Sequence, residues 1–159
     1  MPDIVVKVEG SEQLQRLLSD PQFVRGPLRN FLTKASFELE LRIKEGAPVD
    51  TGRLRASVRT AQSATRASVG PAVAYAPWVE FGTRPHWPPQ GALQPWARRH
   101  GFPAGFVGDF LVRRAIALRG TRAQPFVTPA LRKAMPTIRV LAMELGREIA
   151  TKWRKGRAV

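Results

Sequence analysis

The chain has 159 residues, enough for one domain with a real core, and 43% of them are apolar, which is ordinary for a globular protein. Its 26 Lys and Arg against 12 Asp and Glu leave a formal charge of +14. That excess suits polyanionic surroundings (nucleic acid, an anionic membrane face, an acidic protein) or simply a soluble basic surface. With no cysteine in the chain, disulfides, thiolate chemistry and Cys-based zinc sites are excluded.

Residues 3–9 alternate, with Ile4, Val6 and Val8 on one side and Val5 and Lys7 on the other. This β-branched run predicts an edge or meander strand. Gly10-Ser11 ends it, and Ser11 is placed to cap a short helix over 12–18 with Leu14, Leu17 and Leu18 inward. Asp3 and Glu9 without an apolar run argue against a signal peptide. No stretch approaches the roughly 18 apolar residues of a membrane span, so no membrane partner is expected.

Asp20-Pro21 predicts a turn, and a longer helix follows over 27–44, with Pro27 in its first turn. Leu28, Phe31, Leu32, Ala35, Leu39 and Ile43 form one apolar stripe. Phe37 and Leu41 sit one turn apart on nearly the opposite side. Either the helix is buried deeply, or it has a second apolar face used by another subunit. Gly46 is placed to end the helix.

Asp50 and Thr51 are expected to cap a turn through their side-chain oxygens, with Gly52 supplying unusual backbone angles. The segments 54–60 and 65–69 then read as a hairpin with Ala56, Val58 and Thr60 on one face. Arg53, Arg55, Arg59 and Arg66 make that hairpin basic, which fits either a solvated face or contact with nucleic-acid phosphate. Residues 72–81 read as a short helical piece carrying Tyr75, Trp78 and Val79. Glu80 stands out there as an acid among bases, with a nearby arginine as its expected partner.

From 84 to 120 the composition changes. Pro85, Pro88, Pro89 and Pro95 predict loops, and 93–100 a turn or two of helix packing through Trp96. A helix is expected over 109–118, with Phe110, Leu111, Ala115 and Leu118 inward and Arg113, Arg114 and Arg119 outward. The block reads as a lid or an inserted arm. The last helix is capped by Thr128 and opened by Pro129, with Leu131, Ala134, Ile138, Leu141, Leu145 and Ile149 as its stripe. Pro136 is expected to kink or split it, and the basic tail 152–157 to fray.

No catalytic constellation, cofactor motif or metal-ligand spacing emerges, so neither enzyme chemistry nor a cofactor is expected. His86 and His100 lie in the inserted block with no acid beside them in sequence. Asp50-Thr51-Gly52 matches the aspartic-protease triplet, but that mechanism needs a paired second carboxylate and the chain has no second copy.

Three blocks together resemble a known family. The run Ala47-Pro48-Val49-Asp50-Thr51-Gly52-Arg53-Leu54-Arg55-Ala56-Ser57-Val58 is similar to the opening signature of tailed-bacteriophage tail-completion, or neck, proteins. Val69-Gly70-Pro71, Tyr75-Ala76 and Val79-Glu80-Phe81-Gly82-Thr83 resemble its second signature. Gln124-Pro125-Phe126-Val127-Thr128-Pro129-Ala130 resembles its third, where an Arg more often precedes the Pro-Phe. The blocks span most of 25–150. The departure is the insertion over 84–122, since many relatives pass almost directly from the second block to the third.

The resemblance implies an α+β fold: a small antiparallel sheet packed against a long helix, with a C-terminal helix and a helical or loop insertion. One domain over 1–159 is expected: 1–46 with strand and helices, 47–83 with the motif hairpin, the insertion 84–122, and 123–159 with the last helix. It further implies a non-enzymatic virion subunit of the neck, assembled in the bacterial cytoplasm as a ring, expected to be hexameric, around the DNA channel. Its partners would be copies of itself, tail-tube and head-completion or connector proteins, and packaged DNA. Within that reading Asp50, Thr51, Gly52 and Leu54 fix the turn. Phe37, Leu41, Tyr75, Trp78, Val79, Glu80 and Phe81 serve an interface, with Glu80 pairing an arginine. Pro125, Phe126 and Pro129 dock the last helix, and Arg55, Arg59 and Arg66 face the channel. The alternative is a free-standing basic nucleic-acid-binding protein.

Overall fold

The structure, a computed structural model, describes residues 21–156. The strand expected over 3–9 and the helix over 12–18 lie outside the described residues. The fold is α+β: among the described residues, a two-stranded antiparallel sheet with helices that include a long one on each side of it in sequence. Two compact units form. The first comprises, among the described residues, 21–45, 58–70 and 130–156, and the second 46–57 and 71–129.

In the first unit, helix α1 (Pro21–Gly46) is already formed at Pro21, with Pro27 inside it rather than at its start. Phe23 and Val24 are half-buried and Pro27 is buried. They extend the apolar stripe backwards, and that burial outweighs the helical cost of proline. The expected stripe from Leu28 to Ile43 is half-buried or buried throughout. Phe37, at 70% exposure, and Leu41, at 40%, lie outside it, so deep burial of the whole helix is not the explanation for them.

Strands β1 (Val58–Gln62) and β2 (Ala67–Pro71) form the hairpin. Its turn is closed by the Ser63 amide on the Arg66 carbonyl at 2.8 Å. Val58, Thr60 and Gln62 share the face turned to α1. Thr60 donates to the Glu40 carboxylate at 2.6 Å, and Thr33 donates to Gln62 at 3.2 Å. A two-stranded hairpin is marginal by itself, so the helix supplies the surface that holds it.

The first strand starts at Val58, not at Leu54. Arg53–Ala56 is instead a single helical turn, α2. Gly52, at φ 77°, turns the chain into it, and the Ser57 hydroxyl closes it on the Leu54 carbonyl at 2.7 Å. Arg55 is therefore on a helical turn, and only Arg59 and Arg66 belong to the hairpin.

Continuing the chain order, the second unit holds α3 (Ala76–Phe81), α4 (Gln94–Arg99) and α5 (Phe106–Arg119). The buried face of α5 is rotated from the expected one. Gly108, Asp109 and Val112 are buried, whereas Phe110, Leu111 and Leu118 are exposed. The cause is Asp109, whose carboxylate accepts the Gly91 amide at 2.9 Å and the Leu93 amide at 3.1 Å. An acid that anchors a turn takes the buried line, and Val112 and Ile116 follow it at helical spacing. Arg113, expected outward, instead donates to the Pro88 carbonyl at 2.9 Å and lies over the Trp87 ring. The base of the insertion is pinched by an antiparallel bridge between Thr83 and Thr121. Gly120, at φ 72°, lets the two segments approach, because a Cβ there would overlap the Thr83 carbonyl.

The last helix, α6 (Val127–Gly156), runs through Pro136 without splitting and stays helical over 152–156, where fraying was expected. From Ala130 onward it belongs to the first unit. Ala134 is buried and Ile138, Leu141, Leu145 and Ile149 are half-buried, as the stripe predicts, but Leu131 is exposed. Pro136 lies on the exposed side, where the carbonyl it leaves unbonded reaches water. No described helix is long and apolar enough to cross a membrane.

Candidate functional site

Parts of all three sequence blocks fall in the second unit. A helix begins with four amides that have no partner within it. At the start of α6 these belong to positions 126–129. Glu80, buried on α3, supplies the acceptors. One carboxylate oxygen takes the Phe126 amide at 2.7 Å and the Val127 amide at 2.9 Å. The other takes the Thr128 amide at 3.0 Å and the Thr128 hydroxyl at 2.7 Å. The fourth position is Pro129, which has no amide to satisfy.

Every orphan donor of that turn is therefore accounted for. The negative carboxylate also sits at the positive end of the helix dipole. Burial alone would push the Glu80 carboxyl up, but the Val127 and Phe126 amides and the two Thr128 donors outweigh it and hold it below the ordinary glutamate range. The arginine partner expected for Glu80 is replaced by these backbone donors, and the cap expected of Thr128 is made by Glu80, with Thr128 as a donor to it.

Phe126 is almost fully buried, and Gly46 leaves the space a Cβ would take beside it, 3.4 Å from the Phe126 carbonyl. Pro125, immediately before it, is exposed. In the turn that opens the motif region, Leu54 is buried and Thr51 is exposed. Asp50 does not cap its own turn. Both of its oxygens accept from the Arg99 guanidinium, with the Nε contact at 2.9 Å. That hydrogen-bonded arginine holds the Asp50 carboxyl below the usual aspartate range. A carboxylate committed to an arginine is not the proton-sharing acid of an aspartic protease. Nothing in the spacing announces Arg99, which lies 49 residues away inside the insertion.

The remaining candidates are spread out. Tyr75 and Val79 are half-buried, while Trp78 and Phe81 are 60% and 76% exposed. Arg55, Arg59 and Arg66 are all exposed. In the second unit, Trp78, Val79, Trp96, Phe102, Leu111 and Ile116 line part of an open, mostly apolar groove of about 1360 Å³. Trp96 stacks on His100 at 3.9 Å, and Trp87 and Phe106 flank Phe110 at 6.3 and 6.1 Å. His86 and His100 each bond a backbone carbonyl of their own segment. Among the described residues, no group of three or more acidic or histidine side chains is placed to hold a metal.

The class that this arrangement defines is a capped helical scaffold with exposed apolar surface. A family model described as "Bacteriophage HK97-gp10, putative tail-component" matches residues 11–82, somewhat under half of the chain. The match covers the first sequence block and the second as far as Gly82, and ends before the third. Over that part the chain is similar to a phage tail component. No curated protein and no solved structure matches the chain.

Proposed function

We propose that the protein is a tail-completion or neck subunit of a tailed phage or prophage-derived particle, forming a ring around the DNA channel at the head–tail junction. The similarity of 11–82 to a phage tail component carries this reading. Three features support it. Phe37 and Leu41 offer an apolar face on the first unit, and Trp78 and Phe81 offer another on the second. Paired large side chains in water are characteristic of surfaces that another molecule covers. The charge of +14 suits a subunit beside packaged DNA. Glu80, Asp50, Gly52, Leu54, Phe126 and Pro129 have structural roles, so the chain serves as a scaffold and not as an enzyme.

Light scattering of the purified protein across a salt series tests the reading. The expected result is a closed oligomer, with six copies of the 17.7 kDa chain as the leading case, or a monomer that closes into a ring when tail-tube protein is added. The high charge also favours a second reading, a free-standing nucleic-acid binder. A stable monomer that changes mass only with duplex DNA would establish that reading and end the first.

A further inference from the structure

A cleft of about 730 Å³ lies between the N-terminal half of α1 and the turn of the hairpin, wholly within the first unit. Its lining is Arg25, Gly26, Arg29, Thr33, Gln62, Ser63 and Ala64. Arg25 and Arg29 are one helical turn apart, both exposed. Neither has an acidic partner and no carboxylate lines the cleft, among the described residues. The hairpin turn is held over α1 by the Thr33–Gln62 bond and by Gln62 donating to the Arg29 carbonyl at 3.4 Å. The Lys152 ammonium, from the far end of α6, lies beside Gly26, 3.9 Å from where a Cβ there would sit, but Lys152 does not line the cleft.

We propose that this cleft seats the phosphodiester backbone of duplex DNA. Two guanidinium forks one helical turn apart are groups that grip successive phosphates, with the Ser63 and Thr33 hydroxyls as neutral donors. Among the described residues the lining has no apolar side chain larger than that of Ala64. An acidic protein partner would ordinarily be met by an apolar interface core, so the chemistry favours a polynucleotide. The inference deepens the neck reading and rests on it: it names a DNA-contacting surface on α1 and the hairpin turn, in place of the arginine set Arg55, Arg59 and Arg66.

The test is binding of a fluorescent 20-base-pair duplex to the full chain by anisotropy across a salt series. The variants are R25Q/R29Q and a control, R98Q/R114Q, which removes the same charge from exposed arginines of the second unit. Losing two phosphate contacts flattens the slope of log affinity against log salt by about 1.8 and weakens binding about 10- to 100-fold near 0.1 M salt. The control is expected to change binding by less than about threefold.

Equal losses in both variants, or no loss in the first, would overturn the assignment. Displacement of the duplex by millimolar inorganic phosphate at matched ionic strength would point to a single-phosphate site, and equal displacement by polyglutamate to an acidic protein. Either outcome refutes the duplex proposal. Light scattering on the same samples separates the two readings. A ring whose DNA binding ignores Arg25 and Arg29 leaves the neck reading standing without the cleft. A monomer that loses DNA through R25Q/R29Q leaves the cleft standing without the neck reading.

Discussion

Glu80 accepts four hydrogen bonds from the start of α6. Glu80→Gln keeps one acceptor oxygen but replaces the other with a donor facing amides. At least one buried amide is then unsatisfied, and a cost of about 2–4 kcal/mol is expected from lost charged bonds and the orphaned donor. The pH dependence has a definite sign. The folded carboxyl titrates below its unfolded value, so its contribution is full above the ordinary glutamate pKa of about 4.3 and is lost as pH falls through the folded value. Urea midpoints for wild type and E80Q should therefore differ at pH 7 and converge toward pH 3. A gap that stays constant across that range would refute the cap. Sequence reasoning singled out Glu80 as an anomaly but assigned it an arginine. No spacing announces the true partner: Thr128 offers the helix start an acceptor of its own, and Glu80 lies 48 residues away.

At the scale of elements, hydrophobic spacing located the helices well and their faces less well. The stripe of α1 was legible because Leu28 to Ile43 repeat without interruption. The stripe of α5 was not, because a buried acid, Asp109, sets its rotation, and periodicity counts an acid as outward. The strand expected from Leu54 failed at its first four residues for a local reason: Gly52 turns the chain and Ser57 closes a helical turn before the sheet begins. Pro136 in α6 gives a test at this scale. It removes one helical hydrogen bond on an exposed side, and proline is about 3 kcal/mol worse than alanine in a helix interior. Some of that returns through the stiffer unfolded chain. Pro136→Ala should thus raise stability by about 1–3 kcal/mol, read as a higher urea midpoint at unchanged slope. An unchanged or lower midpoint would mean that the proline ring makes packing contacts that outweigh the missing bond.

At the scale of the molecule, charge and apolar surface oppose each other in any self-association. Copies bearing +14 repel, and salt screens that repulsion over about 8–10 Å near physiological ionic strength. Association through Phe37 and Leu41 should therefore strengthen as salt rises, whereas duplex binding weakens over the same range. The two salt responses have opposite signs and can be read on one preparation. Phe37→Ser with Leu41→Ser removes the apolar face from α1 without touching its buried stripe. Covering the exposed parts of those two side chains is worth about 2–3 kcal/mol per contact, so the double variant should shift the association midpoint about 30- to 150-fold toward monomer. Helical circular dichroism and the urea midpoint should stay near wild type, since both residues lie outside the core in the monomer. A variant that associates like wild type would place the subunit contact elsewhere, with the exposed Trp78 and Phe81 of the second unit next to be substituted.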